Sequence, residues 1–301
     1  MAFELKRKES VPDGIRRITC ERIDRAIEVL DGNGRKLVRD EAVHEARKRF
    51  KEVRGALRLV RDELGNKQFD RENRTFRDAG RPLSEVRDAK VLLDTLDELA
   101  RHYKVRLNSG SFKRLRSALR ARRRDVRRRV LKKDRATTSI VREVRRSSRR
   151  VRDWPLARKG WNAIADGLRE TYRKGRVAMQ DALRDNDDES LHEWRKRTKD
   201  LRYEIELLAC AFPEAMQPMA EASHHLTDLL GQDHDLAVLQ QIVEDELKDL
   251  DADDERELLN PLVAQRRKEL LKEARKLGRK LFAEGDDDFV DRIHGYWKAW
   301  R

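Results

Sequence analysis

Residues 43–54 read VHEARKRFKEVR and residues 191–202 read LHEWRKRTKDLR. The stretches align position for position: His44 with His192, Glu45 with Glu193, Arg47 with Arg195, Lys48 with Lys196, Arg49 with Arg197, Lys51 with Lys199 and Arg54 with Arg202. An apolar heptad runs through each copy. It takes Val43, Ala46, Phe50, Val53, Leu57, Val60 and Leu64 in the first, and Leu191, Trp194, Thr198, Leu201, Ile205, Leu208 and Phe212 in the second. Apolar residues spaced by three and four mark one face of a helix packed against others. On the helical wheel His44, Arg47, Lys48, Lys51 and Arg54 share a different sector, and His192, Arg195, Lys196, Lys199 and Arg202 match them. Each copy is predicted as a long helix with one face for the core and one cationic stripe.

Working outward, the likeness continues. GLRETYRKGRVAMQDAL at 167–183 lines up with GIRRITCERIDRAIEVL at 14–30. DHDLAVL, starting at Asp233, lines up with VRDAKVL, starting at Val86, pairing Arg87 with His234 and Asp88 with Asp235. The spacing predicts helices over 14–30, 41–64 and 83–103, with DGNG at 31–34, Gly65 and the Asn108-Ser109-Gly110 turn as breaks and Pro82 in a first turn. A basic helix follows from 113. The second half reads as helices over 156–184, 188–212, a segment after Pro213, and 254–283. Trp154-Pro155 marks the boundary between residues 1–153 and 154–301. Both halves are expected to be four-helix-bundle-like units from an internal duplication, related by an approximate two-fold axis that brings the stripes to one groove. The fold class is all-α.

Composition agrees: charged residues make up 43% and aromatics 6%, with only 6 Pro and 14 Gly, in a chain of 301 residues. That balance favours helix over sheet, and sustained heptads argue against disorder. The net charge of +14 asks for a polyanionic partner: nucleic acid, an anionic membrane surface or polymeric phosphate. Between 112 and 152 there are 19 Lys or Arg and three acids, Asp125, Asp134 and Glu143. Cys20 and Cys210 stand far apart, outside any metal or disulfide pattern. The start, MAFELKRKESVPDG, has no signal-peptide core, and no run reaches the roughly 18 apolar residues of a membrane span. The expectation is a soluble, cytoplasmic protein with no membrane partner.

Chemistry narrows the choice. There is no G-x-S-x-G elbow, P-loop or G-x-G-x-x-G, and no carboxylate pair stands out as acid and base. HHLTDLLGQDHD offers His224, His225, Asp228, Asp233, His234 and Asp235 as metal ligands, with His224 and Asp228 one turn apart. Cationic neighbours and the Arg87-Asp88 counterpart disfavour a bound cation, so no metal and no cofactor are expected. Asp88 and Asp235 read as helix-start caps. Nucleic-acid readers interleave aromatics with basic residues, whereas Trp194 and Phe50 fall on the apolar seam. Arg, Lys and His without a stacking platform suit a ligand that is all phosphate. A protonated imidazole would donate from both ring nitrogens.

The paired [VL]-H-E-x-R-K-R-x-K helices, with LSEVRDAKVL and LGQDHDLAVL, resemble the conserved histidine α-helical domain (CHAD) family over nearly the whole chain. The resemblance implies two four-helix bundles around a basic cavity, binding of inorganic polyphosphate and association with polyphosphate granules; binding without catalysis is expected here, with polyphosphate-metabolising enzymes as candidate partners. The site is expected to comprise both stripes. Secondary candidates are Arg16 and Arg169 on the first helices, with Arg120, Arg123, Arg127, Lys268, Lys272, Arg275 and Arg279 on the basic helices. Two alternatives remain: a metal-dependent phosphohydrolase using His192, His234 and Asp235, and a nucleic-acid-binding protein using 113–152.

Overall fold

A computed structural model describes residues 3–31, 40–108, 110–133 and 136–301. The DGNG loop, beyond Asp31, and Ser109 lie outside the described residues. Among the described residues ten α-helices follow one another: α1 (Val11–Asp31), α2 (Asp40–Leu59), α3 (Arg61–His102), α4 (Lys113–Arg127), α5 (Ala136–Val151), α6 (Ala165–Asp185), α7 (Asp188–Leu208), α8 (Pro213–Asp245), α9 (Asp253–Leu281) and α10 (Asp286–Trp300). A π-helical segment, Arg128–Lys133, extends α4, and 3-10 turns occupy Gly160–Ala163 and Ala209–Ala211. No strand occurs among the described residues.

The two motif helices are central because their seams are apolar for five turns. Every seam residue from Val43 to Leu64 is buried, as are Leu191, Trp194, Thr198, Leu201, Ile205 and Leu208. Each large side chain so removed from water contributes on the order of 1.5–3 kcal/mol before entropy is counted. In the first half α2 packs against α1 and α3, with α5 across both and α4 along α3; in the second, α7 packs against α6 and α8, with α9 along α8. Across the halves α2 meets α6 and α7, and α3 meets α8. One buried apolar cluster runs through both. Asp187 starts α7 by accepting from the Ser190 amide at 2.8 Å, an N-cap that satisfies an orphan donor.

Four expectations need correction. The stretch 66–82 is helical, and Pro82 lies inside α3 instead of opening a helix. Phe69, Glu72, Phe76, Ala79, Leu83 and Val86 are all buried along one heptad, and the Glu72 in it hides the pattern from an apolar reading. Buried Glu72 is held by Ser147 at 2.7 Å and by Arg150 at 2.8 Å. Gly65 does break the helix, with φ 69°, a left-handed geometry that glycine adopts without strain.

The helix expected from 156 begins only at Ala165. Residues 154–159 form no helix: Trp154 is buried, its carbonyl accepts from Arg16 at 2.7 Å, and Glu63 accepts from the amides of Ala157 and Arg158. Phe212 falls past the end of α7 and is 41% exposed, with its ring edge on Tyr296. Finally, Asp88 and Asp235 cap nothing; each lies in mid-helix, on α3 and α8.

Candidate anion-binding site

Where α2 packs against α7, their cationic stripes come together. The inner row is His44, Arg47, Lys51 and Arg54 from α2, with His192, Arg195, Lys199 and Arg202 from α7, spaced to keep one line along each helix. Lys51 and Lys199, at corresponding positions of the two copies, come close enough for each to act on the other's amine. Arg47 and Arg195, also at corresponding positions, act on each other electrostatically. Lys48 and Lys196 stand to the flank, Lys48 near Glu45 and Glu52, Lys196 paired with Glu193 at 2.5 Å.

The row is crowded with like charge. Burial, then Lys199, Arg47 and Arg195, hold the Lys51 amine well below its ordinary range. Burial, then Arg195, Arg202 and Arg47, bring Lys199 down to about 8. Arg54 is pushed down to about 10 by burial and Arg58, although its Nε donates to Asn73 at 2.8 Å. Arg47 is lowered by burial, with Arg87 and Arg195 against it and Asp88 and Asp235 in its favour. Among the described residues Lys51, Arg195 and Lys199 have no ion pair with a carboxylate, and the Arg47–Asp88 approach is a long 3.8 Å.

The histidines differ from expectation. His44 and His192 are both lowered by burial and then by neighbouring cations, and His234 falls to about 4 for the same reasons. At neutral pH His234 is therefore neutral and donates from one ring nitrogen, not two. Its ring lies 4.5 Å from that of His192, whose buried Nδ1 has no hydrogen-bond partner.

The secondary candidates scatter. Arg16 is tied to Asp13 and the Trp154 carbonyl, and Arg169 to Asp166 and Asp287. Arg123 and Arg127 clamp Asp40 at the start of α2, and Arg275 donates to Asn186 at 2.5 Å. Arg120, Lys268, Lys272 and Arg279 are exposed on α4 and α9. None of these joins the row. His224 pairs with Asp228 at 3.1 Å on an exposed face of α8. Among the described residues no three His, Cys, Asp or Glu converge as ligands for one metal ion.

Residues on α3 and α8 that the sequence reading takes for helix caps or, for Asp235, a metal ligand complete the surroundings: Arg87 and Asp88 on one, Asp235 on the other, the latter bordering a cleft of about 370 Å³ with Thr95, His102, Gln232 and Arg266. Their signal was the repeated VRDAKVL and DHDLAVL segments. Gly231 was unseen. The Arg195 guanidinium lies over it, and a Cβ there would meet Nη2 at 3.2 Å.

A family model described as the CHAD domain matches residues 21–244. Among solved structures, the chain is similar to the CHAD domain from the plant Ricinus communis, at 20% identity and a TM-score of 0.54. That match covers 100% of this chain and 96% of that one. The likeness shows a shared fold. No curated protein matches the chain.

Proposed function

The chain belongs to the CHAD domain family, and on that premise we propose that its central row binds inorganic polyphosphate without cleaving it. The observation that carries this reading is the convergence of Lys51 with Lys199 and of Arg47 with Arg195: among the described residues Lys51, Arg195 and Lys199 have no ion pair with a carboxylate, and Arg47 has only the long 3.8 Å approach of Asp88. Elsewhere on the molecule guanidinium groups are routinely paired, as Arg58 is with Asp200 and Arg267 with Asp233. An anion entering the row removes a repulsion that the fold otherwise bears.

Phosphoryl oxygens would take the fork of Arg47 and Arg195 and the point charges of Lys51 and Lys199. Bound phosphate favours the charged form of both amines. His44, Arg54 and Arg202 extend the row so that a thread longer than one phosphate is engaged. A nucleic acid is the poorer fit, because Trp194 and Phe50 are buried and offer no base a platform. Among the described residues no helix is long and apolar enough to cross a membrane. Association with polyphosphate granules, and with enzymes that act on the polymer, follows from the same proposal.

The test is titration with long-chain polyphosphate, tripolyphosphate and RNA at two salt concentrations. The proposal expects tight, salt-sensitive binding of the long polymer and weak competition by RNA. Equal affinity for RNA at matched charge favours the nucleic-acid reading through the exposed arginines of α4 and α5. Release of orthophosphate that a chelator stops favours the phosphohydrolase.

A further inference from the structure

The row contains an apparent contradiction. A surface built for a polyanion brings two carboxylates with it, Asp88 from α3 and Asp235 from α8, at positions that correspond in the two halves. Both act on Arg47, and each feels the other's negative charge. Neither serves the helix it belongs to, since both lie in mid-helix. Neither is docked tightly: Asp88 reaches Arg47 only at 3.8 Å, and Asp235 makes no hydrogen bond or ion pair with the described residues. A carboxylate that merely neutralised a buried arginine would close to contact, as Asp233 does on Arg267 at 2.8 Å. Neither carboxylate is held in a close ion pair, so the negative charge of both bears on an anion bound in the row.

We infer that Asp88 and Asp235 are specificity-determining residues that select the interior of a polyphosphate chain over its ends. This deepens the polyphosphate reading and rests on it. In a linear polyphosphate each interior phosphoryl unit carries one negative charge. A terminal unit carries up to two near neutral pH, because its second proton leaves with a pKa of about 6. Repulsion from a fixed carboxylate scales with the charge placed beside it, so a terminal unit suffers roughly twice the penalty of an interior one. Attraction to the arginines and lysines alone would rank the units the other way and favour the dianionic ends. The two carboxylates counter that ranking by adding a repulsive element against the wrong ligand. Orthophosphate and pyrophosphate, which consist only of ends, lose most affinity to this repulsion.

The experiment compares the full chain with its Asp88→Asn, Asp235→Asn double variant by calorimetric titration at constant ionic strength. Pyrophosphate is the probe for ends and long-chain polyphosphate the probe for interiors. The double variant should gain roughly tenfold in affinity for pyrophosphate and only about two- to threefold for the long chain, as the difference in charge per unit requires. An equal gain for both ligands, or none, overturns the inference. Each single substitution should move the ratio the same way by a smaller amount, which keeps the test intact if the double variant folds poorly. Failure of the wild-type chain to bind long polyphosphate at low salt would instead overturn the polyphosphate reading itself, before any variant is compared.

Discussion

Gly55 of α2 lies directly against Tyr203 of α7, so close that a Cβ on Gly55 would fall 2.8 Å from the Tyr203 Cβ. These two positions correspond in the two copies of the motif, as do Lys51 and Lys199 one turn earlier. The close approach of the helix backbones at Gly55 is what brings the paired cations within reach of each other. Replacing Gly55 by Val forces the crossing apart. The expected outcome is a loss of about 1–3 kcal/mol in stability, from overpacking, together with weaker polyphosphate binding. A chemical denaturation curve and a binding isotherm on the same sample check both.

Protons should accompany the ligand. Lys199 titrates near 8 in the free protein and Lys51 is also depressed. Bound phosphate favours the charged amines, so binding at pH 8 takes up protons, and affinity falls as pH rises past the free values. Titration in two buffers of different ionisation enthalpy measures the uptake directly. Lys199→Met should reduce it.

The same depressed lysine weakens the empty fold. Unfolded, Lys199 returns to its ordinary value near 10.5, so the unfolded chain binds more protons and stability rises with pH between about 8 and 10.5. Half-buried Cys210, raised to about 11, acts in the opposite sense above 9. The difference between wild type and Lys199→Met isolates the lysine. The variant should melt higher at neutral pH, and its advantage should shrink as pH rises from 8.

Legibility in the sequence followed charge and period. The seam of α2 and α7 was readable because its apolar spacing holds over several turns, and the stripe because it recurs in register. The helical stretch 66–82 was not readable, since Glu72 interrupts an apolar heptad and Pro82 carries a strong boundary signal; a buried partner set from α5 overrides both. Within the stripe, periodicity could not separate Lys51, which meets Lys199, from Lys48, which lies one position round the helix near Glu45 and Glu52. That distinction depends on which helix faces which. Arg16 and Arg169 were assigned by alignment alone, and their partners, Trp154 and Asp287, come from distant parts of the chain.

Those two arginines supply a control. Arg16→Ala and Arg169→Ala should leave polyphosphate affinity within a factor of about two, because each is paired with its own carboxylates away from the row and charge beyond roughly 8–10 Å is screened. A large loss in either isotherm would place the first helices at the site after all.

Glu204 gives a prediction independent of the ligand. It is fully buried on α7, accepts from Thr171 at 2.8 Å, and burial raises its carboxyl well above the ordinary value of 4.5. The unfolded chain ionises there first, so this group lowers stability as pH rises above 4.5. Glu204→Gln keeps the acceptor for Thr171 and removes the titration. It should melt higher than wild type at neutral pH and converge with it in acid. Thermal melts across that interval check the sign.

The central claim is that Arg47, Lys51, Arg195 and Lys199 together hold polyphosphate, and the salt dependence of binding tests it most directly. By analogy with nucleic acids, each phosphate contact contributes about 0.7–0.9 to the slope of log affinity against log salt. Replacing the four by Met should abolish most binding and flatten that slope by several contacts' worth, while the helical signal and a cooperative melt persist. A folded quadruple variant that binds long-chain polyphosphate with the wild-type affinity and slope would contradict the account.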